Sequence, residues 1–418
     1  MIRGRHFISA VLIAVSAIAP ARAQDGAISV DQAVREALDR NLNLLAERFN
    51  IRTADAAILT ASLKPNPVVT VSLMRPDQAL VDAGISPYEQ IFRTDYVLER
   101  GGKRERRVDQ AGLSKTVAEL QLLNTTRTLV LDVESAYTDV QLAKLNLALA
   151  RDNLTAFNNV VQVNTDRVRA GDLSQVELSR SRLAALQFQN DVRQQETKLQ
   201  VARNHLSTLV GRGPNGATLD VLGDLRKEAE PFDYDGLRRR ALEGRPDLRA
   251  VRTDQARSAA DLRLQIANGR IDYTVSGEYH RQEGSEVHGN SYGVFFSAPL
   301  PIFNRNQGEV ARAQAQQQQL VTKTQALETD IGAEVANAYA QYTAAREIVD
   351  TIERQMLVEA RDVRTTTEYS YRRGEASFVE FLDAVRAFNE TMQSYNEARA
   401  DYARSLYALD AISGKVNP

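Results

Sequence analysis

Apolar residues recur at alternating intervals of four and three positions in two long segments of the chain. In the first segment all ten such positions are apolar: Leu129, Val133, Ala136, Val140, Ala143, Leu147, Ala150, Leu154, Phe157 and Val161. Shifted by 202, the same positions are apolar in nine of ten cases if Tyr342 is counted: Ile331, Val335, Ala338, Tyr342, Ala345, Val349, Ile352, Met356, Glu359 and Val363. A seven-residue repeat sustained over this length is typical of helices packed as coiled coils.

The first of these segments predicts an unusually long helix. Residues 103–168 contain no proline and a single glycine, Gly112. A helix of that span is roughly 100 Å long at about 1.5 Å per residue, which exceeds the width of an ordinary globular domain. Aromatic residues make up only 6% of the chain, which also favours long helices. The periodicity alone leaves a soluble rod or tether as the alternative.

The chain also repeats itself at an offset of 202 to 204 residues, which indicates a duplicated architecture. The matched pairs are Ala37 and Ala241, Val133 and Val335, Gly171 and Gly374, and Gly211 and Gly414. Each half is predicted to run helix, β-hairpin, very long helix, turn, helix, with the first half at 24–211 and the second at 235–418. Residues 212–234 between them hold two prolines and three glycines, a composition typical of a connector.

Each half contains a predicted β-hairpin, at about 67–98 in the first half and about 270–300 in the second. In the second hairpin apolar and polar residues alternate over 271–280 and 291–298, on either side of a polar loop at 281–290. Strict alternation gives a strand one apolar face and one wet face. The first hairpin alternates cleanly over 69–73 but poorly over 91–98. The whole pattern predicts a mainly α-helical chain with a small β part.

Four strands per chain are too few to close a β-barrel. In lipid, the open edges of such a sheet would leave costly unpaired backbone groups. Three chains would together supply twelve strands, so the pattern favours a homotrimer with its strands in a membrane. Tyr273, Tyr279 and Tyr292 are then expected at the membrane interfaces. A soluble hairpin packed on the helices is the alternative.

The first 23 residues are typical of a secretory signal peptide. Arg3 and Arg5 precede an apolar stretch at 7–19 that is too short to span a bilayer, and Ala21-Arg22-Ala23 offers a small-x-small cleavage site. The mature chain is expected to begin near residue 24, with an N-terminal membrane anchor as the alternative. Because the chain has no cysteine, no lipid anchor is expected. No other segment has the ~18 consecutive apolar residues of a transmembrane helix.

Composition and motifs argue against an enzyme. The net charge of −2 gives no basic footprint for nucleic acid, and no cysteine is available for catalysis or thiolate metal sites. Zinc-protease, phosphate-loop and nucleophile-elbow motifs are absent from the sequence, so no cofactor is expected. His280 and His288 flank a loop that carries Glu283 and Glu286. These residues are candidate ligands for a weak metal site, with solvated loop side chains as the commoner alternative.

The two helical hairpins end in short predicted reversals. Their tip residues are Gly171, Asp172 and Leu173 in the first half, and Gly374, Glu375 and Ala376 in the second. A glycine starts each reversal because glycine adopts a positive φ at little cost. These tips are the parts of the long helices that lie farthest from the strands.

Two carboxylates follow the second tip on one helix face. Glu380 and Asp383 are three positions apart, and in a trimer they would form two rings of three carboxylates. In the first half Glu177 matches Glu380, but Arg180 stands in place of Asp383. The two hairpins should therefore differ electrostatically. A solvated acidic face is the alternative.

Two junction sequences, together with the duplicated layout, carry a resemblance to a known family. Gly101-Gly102-Lys103-Arg104 follows the first hairpin, and the run Pro-Leu-Pro-Ile-Phe-Asn-Arg-Asn-Gln-Gly at 299–308 follows the second. Over essentially the whole mature chain, this resembles the TolC family of outer-membrane efflux factors, and most of all its cobalt–zinc–cadmium branch. The resemblance implies a homotrimer whose twelve-stranded outer-membrane barrel continues into an α-helical periplasmic tunnel. It also implies two protein partners, a periplasmic adaptor and an inner-membrane proton-driven transporter.

The same resemblance assigns roles at the tunnel end. The two carboxylates after the second tip correspond to a narrow, cation-attracting aperture, and both tips would face the adaptor. Tyr371 corresponds to a gate tyrosine and Glu177 to its acidic partner in a latch between neighbouring hairpins. The family's gate arginine is missing, because Ala376 stands at its position. Either Arg372 or Arg373 takes the place of this arginine in the latch, or the tunnel end closes less tightly than in the rest of the family.

The expected function is therefore that of a passive exit duct for heavy-metal cations in a tripartite pump. The loop at 281–290 is expected to face the cell exterior, on the opposite side of the membrane from the helices. A duct for drugs or secreted proteins in the same family is one alternative. A periplasmic coiled-coil adaptor or scaffold that never enters lipid is another.

Overall fold

The structure is a computed structural model that describes residues 27–83, 88–213, 219–227, 232–283 and 288–414, and long helices dominate this part of the chain. The helices are α1 Val30–Arg40, α2 Leu42–Ser62, α3 Gln78–Asp82, α4 Lys103–Ala170, α5 Gln175–Leu209, α6 Tyr234–Gly244, α7 Pro246–Asn268, α8 Gln307–Thr351, α9 Leu357–Arg373 and α10 Phe378–Ile412. The strands are β1 Val68–Met74, β2 Tyr88–Leu98, β3 Tyr273–Glu283 and β4 His288–Ser297. The prediction of a mainly α-helical chain with a small β part is confirmed. The expected signal peptide lies outside the described residues, as does the centre of the loop at 281–290.

The four strands form one antiparallel sheet in the order β1-β2-β3-β4. Each half of the chain contributes one hairpin, and the hairpins join where β2 pairs with β3, with Phe92 opposite Tyr279. Within the described residues β1 and β4 each pair on one side only, so they are the edges of the sheet. Val71 of β1 is 54% exposed and Val294 of β4 is 85% exposed. An apolar edge strand of this kind is a template for pairing with another chain.

Helix α4 follows the apolar repeat of the sequence. It runs for 68 residues, which confirms the long helix predicted over 103–168. Val133 and Val140, both in the repeat, are completely buried. The helix begins after Gly102, with a φ of 67°, and ends at Gly171, with a φ of 86°. Because glycine adopts such angles at little cost, the sequence itself marks both ends. No helix in the described part of the chain is both long enough and apolar enough to cross a membrane.

The corresponding helix of the second half contains a π-helical turn that joins α8 to α9. Beyond Ile352 the four-three spacing of apolar residues no longer follows the buried face of the chain. Met356 and Val363 are 46% and 51% exposed, and Glu359 is exposed as well. Leu357 is buried in their place, with 9% of its surface exposed. A π turn bonds residues five apart instead of four, which shifts the buried face by one position.

Three large clusters of buried side chains hold the helices together. One lies in the first half around Val133 and Leu206, and a second lies in the second half around Val335 and Leu406. The third joins the two hairpins near their tips and consists of Phe157, Ala184, Phe188, Tyr371, Phe378, Phe381 and Val385. The tips of one chain are therefore held together by direct packing.

A buried group of charges lies where the two halves meet, far from the tips. Arg245, at the start of α7, is 3% exposed and bonds to Asp247 at 2.6 Å and to Glu334 of α8. Arg127 of α4 is 8% exposed and donates to the carbonyl of Ala411 at 3.3 Å. Burial lowers the pKa of Arg127, and the nearby charge of Arg245 lowers it further. These contacts connect α4 with the C-terminal end of α10.

Candidate functional site at the hairpin tips

Both hairpin tips fold into the same short reversal. Helix α4 ends at Gly171, and the amide of Asp172 donates to the carbonyl of Arg167 at 2.8 Å. Helix α9 ends in the same way at Gly374, whose φ is 80°, and the amide of Glu375 closes that reversal with a 2.9 Å bond. Leu173 and Ala376 follow within these reversals, which precede α5 and α10. The predicted tip residues therefore occupy equivalent places in the two halves.

A serine begins each return helix. Ser174 accepts a bond from the amide of Glu177 at 3.2 Å, and Ser377 accepts one from the amide of Glu380 at 3.3 Å. At α10 the acidic side chain returns the bond, because Oε2 of Glu380 accepts from the amide of Ser377 at 2.7 Å. This reciprocal pair is a capping box. The hydrogen bonds from the Ser377 amide and hydroxyl lower the pKa of Glu380, so this carboxylate is held as an anion at the start of α10.

The two predicted aperture carboxylates lie together on the exposed face of α10. Glu380 and Asp383 are both exposed, whereas Phe381 and Ala384 beside them are buried. Residues three apart share a helix face, so the two charges reinforce each other there. On α5 the equivalent positions hold a half-buried Glu177 and an exposed Arg180. Of the two return helices, only α10 therefore carries a carboxylate at both of these positions.

The predicted gate tyrosine is buried. Tyr371 is 6% exposed, and its ring stacks on Phe381 with centroids 5.1 Å apart and an angle of 3° between the planes. Its hydroxyl donates a 2.9 Å bond to Oδ1 of Asn164, and the guanidinium of Arg167 lies 5.9 Å from the ring centre. Burial raises the pKa of Tyr371, while the bond to Asn164 opposes that rise. Among the described residues of this one chain, no hydrogen bond joins Tyr371 to Glu177.

Two local signals in the sequence point to these contacts, although neither contributed to the predictions above. Asn164 occupies the next position of the apolar repeat, three residues after Val161. A polar side chain at a coiled-coil core position needs a hydrogen-bond partner, and Tyr371 provides it. The spacing of Ser377 and Glu380 is the signature of a capping box.

The arginines suggested as substitutes for the missing gate arginine lie on the exposed side of α9. Arg372 pairs with Glu368 one turn earlier, and Arg373 lies over the ring of Tyr369 at 4.8 Å. The arginine that lies over Tyr371 is Arg167, from α4 of the other hairpin.

Among the described residues, the histidines of the second β-hairpin are not grouped as metal ligands. Nε2 of His280 is 3.6 Å from a carboxylate oxygen of Glu89, and Glu283, which lies opposite His288, pairs with Arg281. Glu286, the fourth member of the suggested group, lies outside the described residues. In the rest of the chain as described, no group of three or more His, Asp or Glu residues is arranged to hold a metal ion.

Comparison with known proteins covers almost the whole chain. A family model described as "Outer membrane efflux protein" matches residues 33–212 and 237–415. The chain is 23% identical over 392 residues to the cobalt-zinc-cadmium resistance protein CzcC of Cupriavidus metallidurans, a match that covers 93% of this chain and 91% of that protein. It is 22% identical over 406 residues to nodulation protein T of Rhizobium leguminosarum bv. trifolii, covering 92% and 85%. Its fold is similar to the crystal structure of CusC, with a TM-score of 0.76, 18% identity and 92% of each chain covered.

The family match takes in both β-hairpins and both long helical hairpins, so it does not depend on one motif. The short connector between the halves is the main internal part left unmatched. The chain belongs to the outer membrane efflux protein family and is an outer-membrane channel, not an enzyme.

Proposed function

We propose that this channel is the passive exit duct of a tripartite pump for heavy-metal cations and that it works as a homotrimer. The observation that carries this proposal is the exposed carboxylate pair, Glu380 and Asp383, on α10 at the tip of the second hairpin. The similarity to a cobalt-zinc-cadmium resistance protein over 93% of the chain supports a metal cargo.

The edges of the sheet support a trimer. Each chain supplies four strands, and β1 and β4 are left with apolar side chains and one unpaired side in the described structure. In lipid an unpaired edge is strongly unfavourable, and pairing β4 of one chain with β1 of the next removes it. Three chains then close a twelve-stranded barrel. The segment after β4 adds exposed apolar surface for a neighbouring chain or lipid, since Leu300 and Phe303 are 78% and 89% exposed.

A trimer gives the carboxylate pair its electrostatic effect. Three copies of Glu380 and three of Asp383 around one axis create a negative potential that concentrates cations. The capping box contributes because it keeps Glu380 ionised and fixes its position relative to the start of α10. The tunnel end then favours cations over anions without a dedicated binding site.

Tyr371 and Glu177 are the proposed latch of the closed end. Burial above all, and the charge of Glu177 to a smaller extent, raise the pKa of Tyr371. In the closed trimer the hydroxyl would bond to Glu177 of a neighbouring hairpin, and opening would break that bond. The closed and open states would then differ by one hydrogen bond per chain.

The tips form the proposed docking surface for a periplasmic adaptor, which in turn reaches an inner-membrane proton-driven transporter. The surface consists of Gly171, Asp172, Leu173, Gly374, Glu375 and Ala376. Photo-crosslinkers at Leu173 and Ala376 should trap the adaptor in cells, whereas one at Asp152, exposed nearer the middle of α4, should not. Trapping at Asp152 alone would show that docking is lateral.

Growth of a deletion strain tests the cargo. Loss of the gene should sensitise cells to cobalt, zinc or cadmium, and the wild-type chain should restore growth. The double variant Glu380→Gln, Asp383→Asn should restore it only partly, although the protein reaches the outer membrane in equal amount. Sensitivity to drugs without any sensitivity to metals would overturn the metal assignment.

The similarity to nodulation protein T, which is not named for metal resistance, supports a second candidate. In that case the same duct exports another class of cargo, either drugs or secreted proteins. Growth of the deletion strain in the presence of metals and, separately, of drugs distinguishes the two candidates. A periplasmic scaffold outside lipid is set aside, because the chain belongs to a family of outer-membrane proteins.

A further inference from the structure

A cavity of about 470 Å³ lies between the two helical hairpins, near their tips. Its apolar wall includes Phe157 and Val160 of α4 and Phe381 and Val385 of α10. Pockets for small organic molecules usually have about 300–1,000 Å³ and are mostly apolar with a few placed polar groups. This space, here called the tip cavity, has both the size and the lining of such a pocket.

One polar side chain in the wall of the tip cavity lacks a partner. Asn164 is completely buried, and its Oδ1 accepts the bond from Tyr371. Its Nδ2 has no hydrogen-bond partner in the structure. A buried donor of this kind is unfavourable when unpaired, and an acceptor inside the cavity would satisfy it. The amide therefore points to a ligand that carries an acceptor.

Both arginines at the rim of the tip cavity have contacts within the chain. Arg372 pairs with Glu368, and the guanidinium of Arg364 lies over the ring of Phe388 at 4.7 Å. The wall beside them is mainly apolar, and the free N–H of Asn164 needs only a neutral acceptor. These two features favour a neutral molecule over a carboxylate or phosphate.

We propose that the tip cavity binds a small, neutral, mainly apolar organic molecule whose carbonyl, ether or hydroxyl oxygen accepts a hydrogen bond from Nδ2 of Asn164. Such a ligand touches α4 of the first hairpin and α9 and α10 of the second. It binds the arrangement of hairpins in which the cavity exists, so it stabilises that arrangement over others. The site is separate from the carboxylate pair and does not depend on which cargo the channel carries.

The absence of cysteine from the chain allows a direct test by disulfide capture. Ala156, in the cavity wall, is replaced by cysteine in the full-length protein purified from outer membranes. Two disulfide probes compete for the variant under mild reduction, one with a 4-acetylphenyl group and one with the similarly shaped 4-isopropylphenyl group. Mass spectrometry of the intact chain should show about five- to tenfold more protein labelled with the ketone probe than with the isopropyl probe, the effect of one hydrogen bond. The matched control Ala185→Cys, half-buried on α5 and outside the cavity lining, should show no preference.

A second variant assigns the preference to Asn164. In the Ala156→Cys background, Asn164→Leu with Tyr371→Phe replaces both hydrogen-bonding partners by apolar groups of similar shape, a change that costs little stability. Both probes should still be captured, but the ketone preference should disappear. Equal retention of the two probes by Ala156→Cys alone, or a preference that survives in the triple variant, would overturn the proposal. So would failure of either probe to react at Ala156→Cys, because a neighbouring chain would then fill the space. If the triple variant does not assemble, the ketone preference at Ala156→Cys relative to that at Ala185→Cys still tests the proposal.

Discussion

The hydroxyl of Tyr371 donates a 2.9 Å hydrogen bond to Oδ1 of Asn164, 207 positions earlier in the chain. The bond joins α9 of the second hairpin to α4 of the first. It is shielded from water, because Asn164 is completely buried and Tyr371 lies flat against Phe381. Any motion that separates α9 from α4 at the tips must break it.

Replacement of Tyr371 by phenylalanine should therefore favour opening. The variant leaves the buried amide of Asn164 without a partner, at a cost of about 1–3 kcal/mol per chain. Bilayer recordings should show a larger open fraction than for the control Tyr369→Phe, whose ring is 57% exposed on the same helix. Glu177→Gln should match Tyr371→Phe if the latch forms in the trimer, and should have no effect if Asn164 is the sole partner. An unchanged open fraction in Tyr371→Phe would show that the bond plays no part in gating.

Neutralising the carboxylate pair should reduce cation selectivity. In Glu380→Gln, Asp383→Asn, glutamine can still accept at the third position of a capping box, so α10 keeps its start. The reversal potential in a salt gradient should move toward the non-selective value, and block by divalent ions should weaken. The control Glu359→Gln, Asp362→Asn removes an equally spaced, exposed pair from α9 and should change both readouts much less. Equal effects in the two variants would move the constriction away from α10.

A half-buried carboxylate on α4 should make stability depend on pH. Burial raises the pKa of Glu134 from 4.5 to about 7, while Arg226 opposes the rise and Asp410 and Asp31 add to it. The folded chain then holds this proton up to about pH 7, whereas the unfolded chain loses it near 4.5, so the free energy of unfolding falls as pH rises through that window.

Glu134→Gln should remove this dependence. At pH 8 the variant should be more stable than the wild type by about 1–3 kcal/mol per chain, and at pH 4 the two should be alike. Thermal unfolding of the purified protein at pH 4, 6 and 8 measures the difference. A gain of the same size at pH 4 and pH 8 would point to packing instead of ionisation.

The buried charges around Arg245 should matter far more than exposed pairs. Arg245→Ala leaves Asp247, whose side chain is 20% exposed, without its cation, whereas Glu334 is 51% exposed and is solvated by water. The loss should cost up to about 3 kcal/mol, the lower end of the range for a broken buried pair. The matched control is Arg252→Ala, whose pair with Glu328 is 46% and 39% exposed and should contribute at most about 1 kcal/mol. Denaturant unfolding should separate the two variants clearly, and similar midpoints would contradict this account.

The sequence predicted the long helix α4 well because two strong local signals agree there. The apolar repeat defines its buried face, and Gly102 and Gly171 mark its ends. The π turn was not predicted, although the internal repeat contains a trace of it. Val133 matches Val335 at an offset of 202, whereas Gly171 matches Gly374 at 203. The second half thus has one extra residue between these points, and the structure accommodates it in the π turn.

The candidate site was predictable only in part. The glycine reversals and the shared face of Glu380 and Asp383 follow from local rules. The burial of Tyr371 and its bond to Asn164 do not, because they depend on how α9 packs against α4 across 207 positions of sequence. The carboxylate rings of the aperture and the latch depend on contacts between chains. Local patterns in one sequence do not reveal such contacts.

Closure of a barrel by three chains is the central claim, and engineered disulfides between β1 and β4 test it most directly. Within one chain β2 and β3 separate these strands, so their backbones lie about 14 Å apart, whereas a disulfide requires Cα atoms within about 7 Å. The chain has no native cysteine, so any such bond must join two chains. A panel that combines Val71→Cys with Tyr292→Cys, Val294→Cys or Phe296→Cys samples neighbouring registers on the apolar face. Oxidation of outer membranes should give a covalent trimer, and nothing larger, for at least one pair. Monomers throughout the panel, or ladders that extend beyond three chains, would contradict the account.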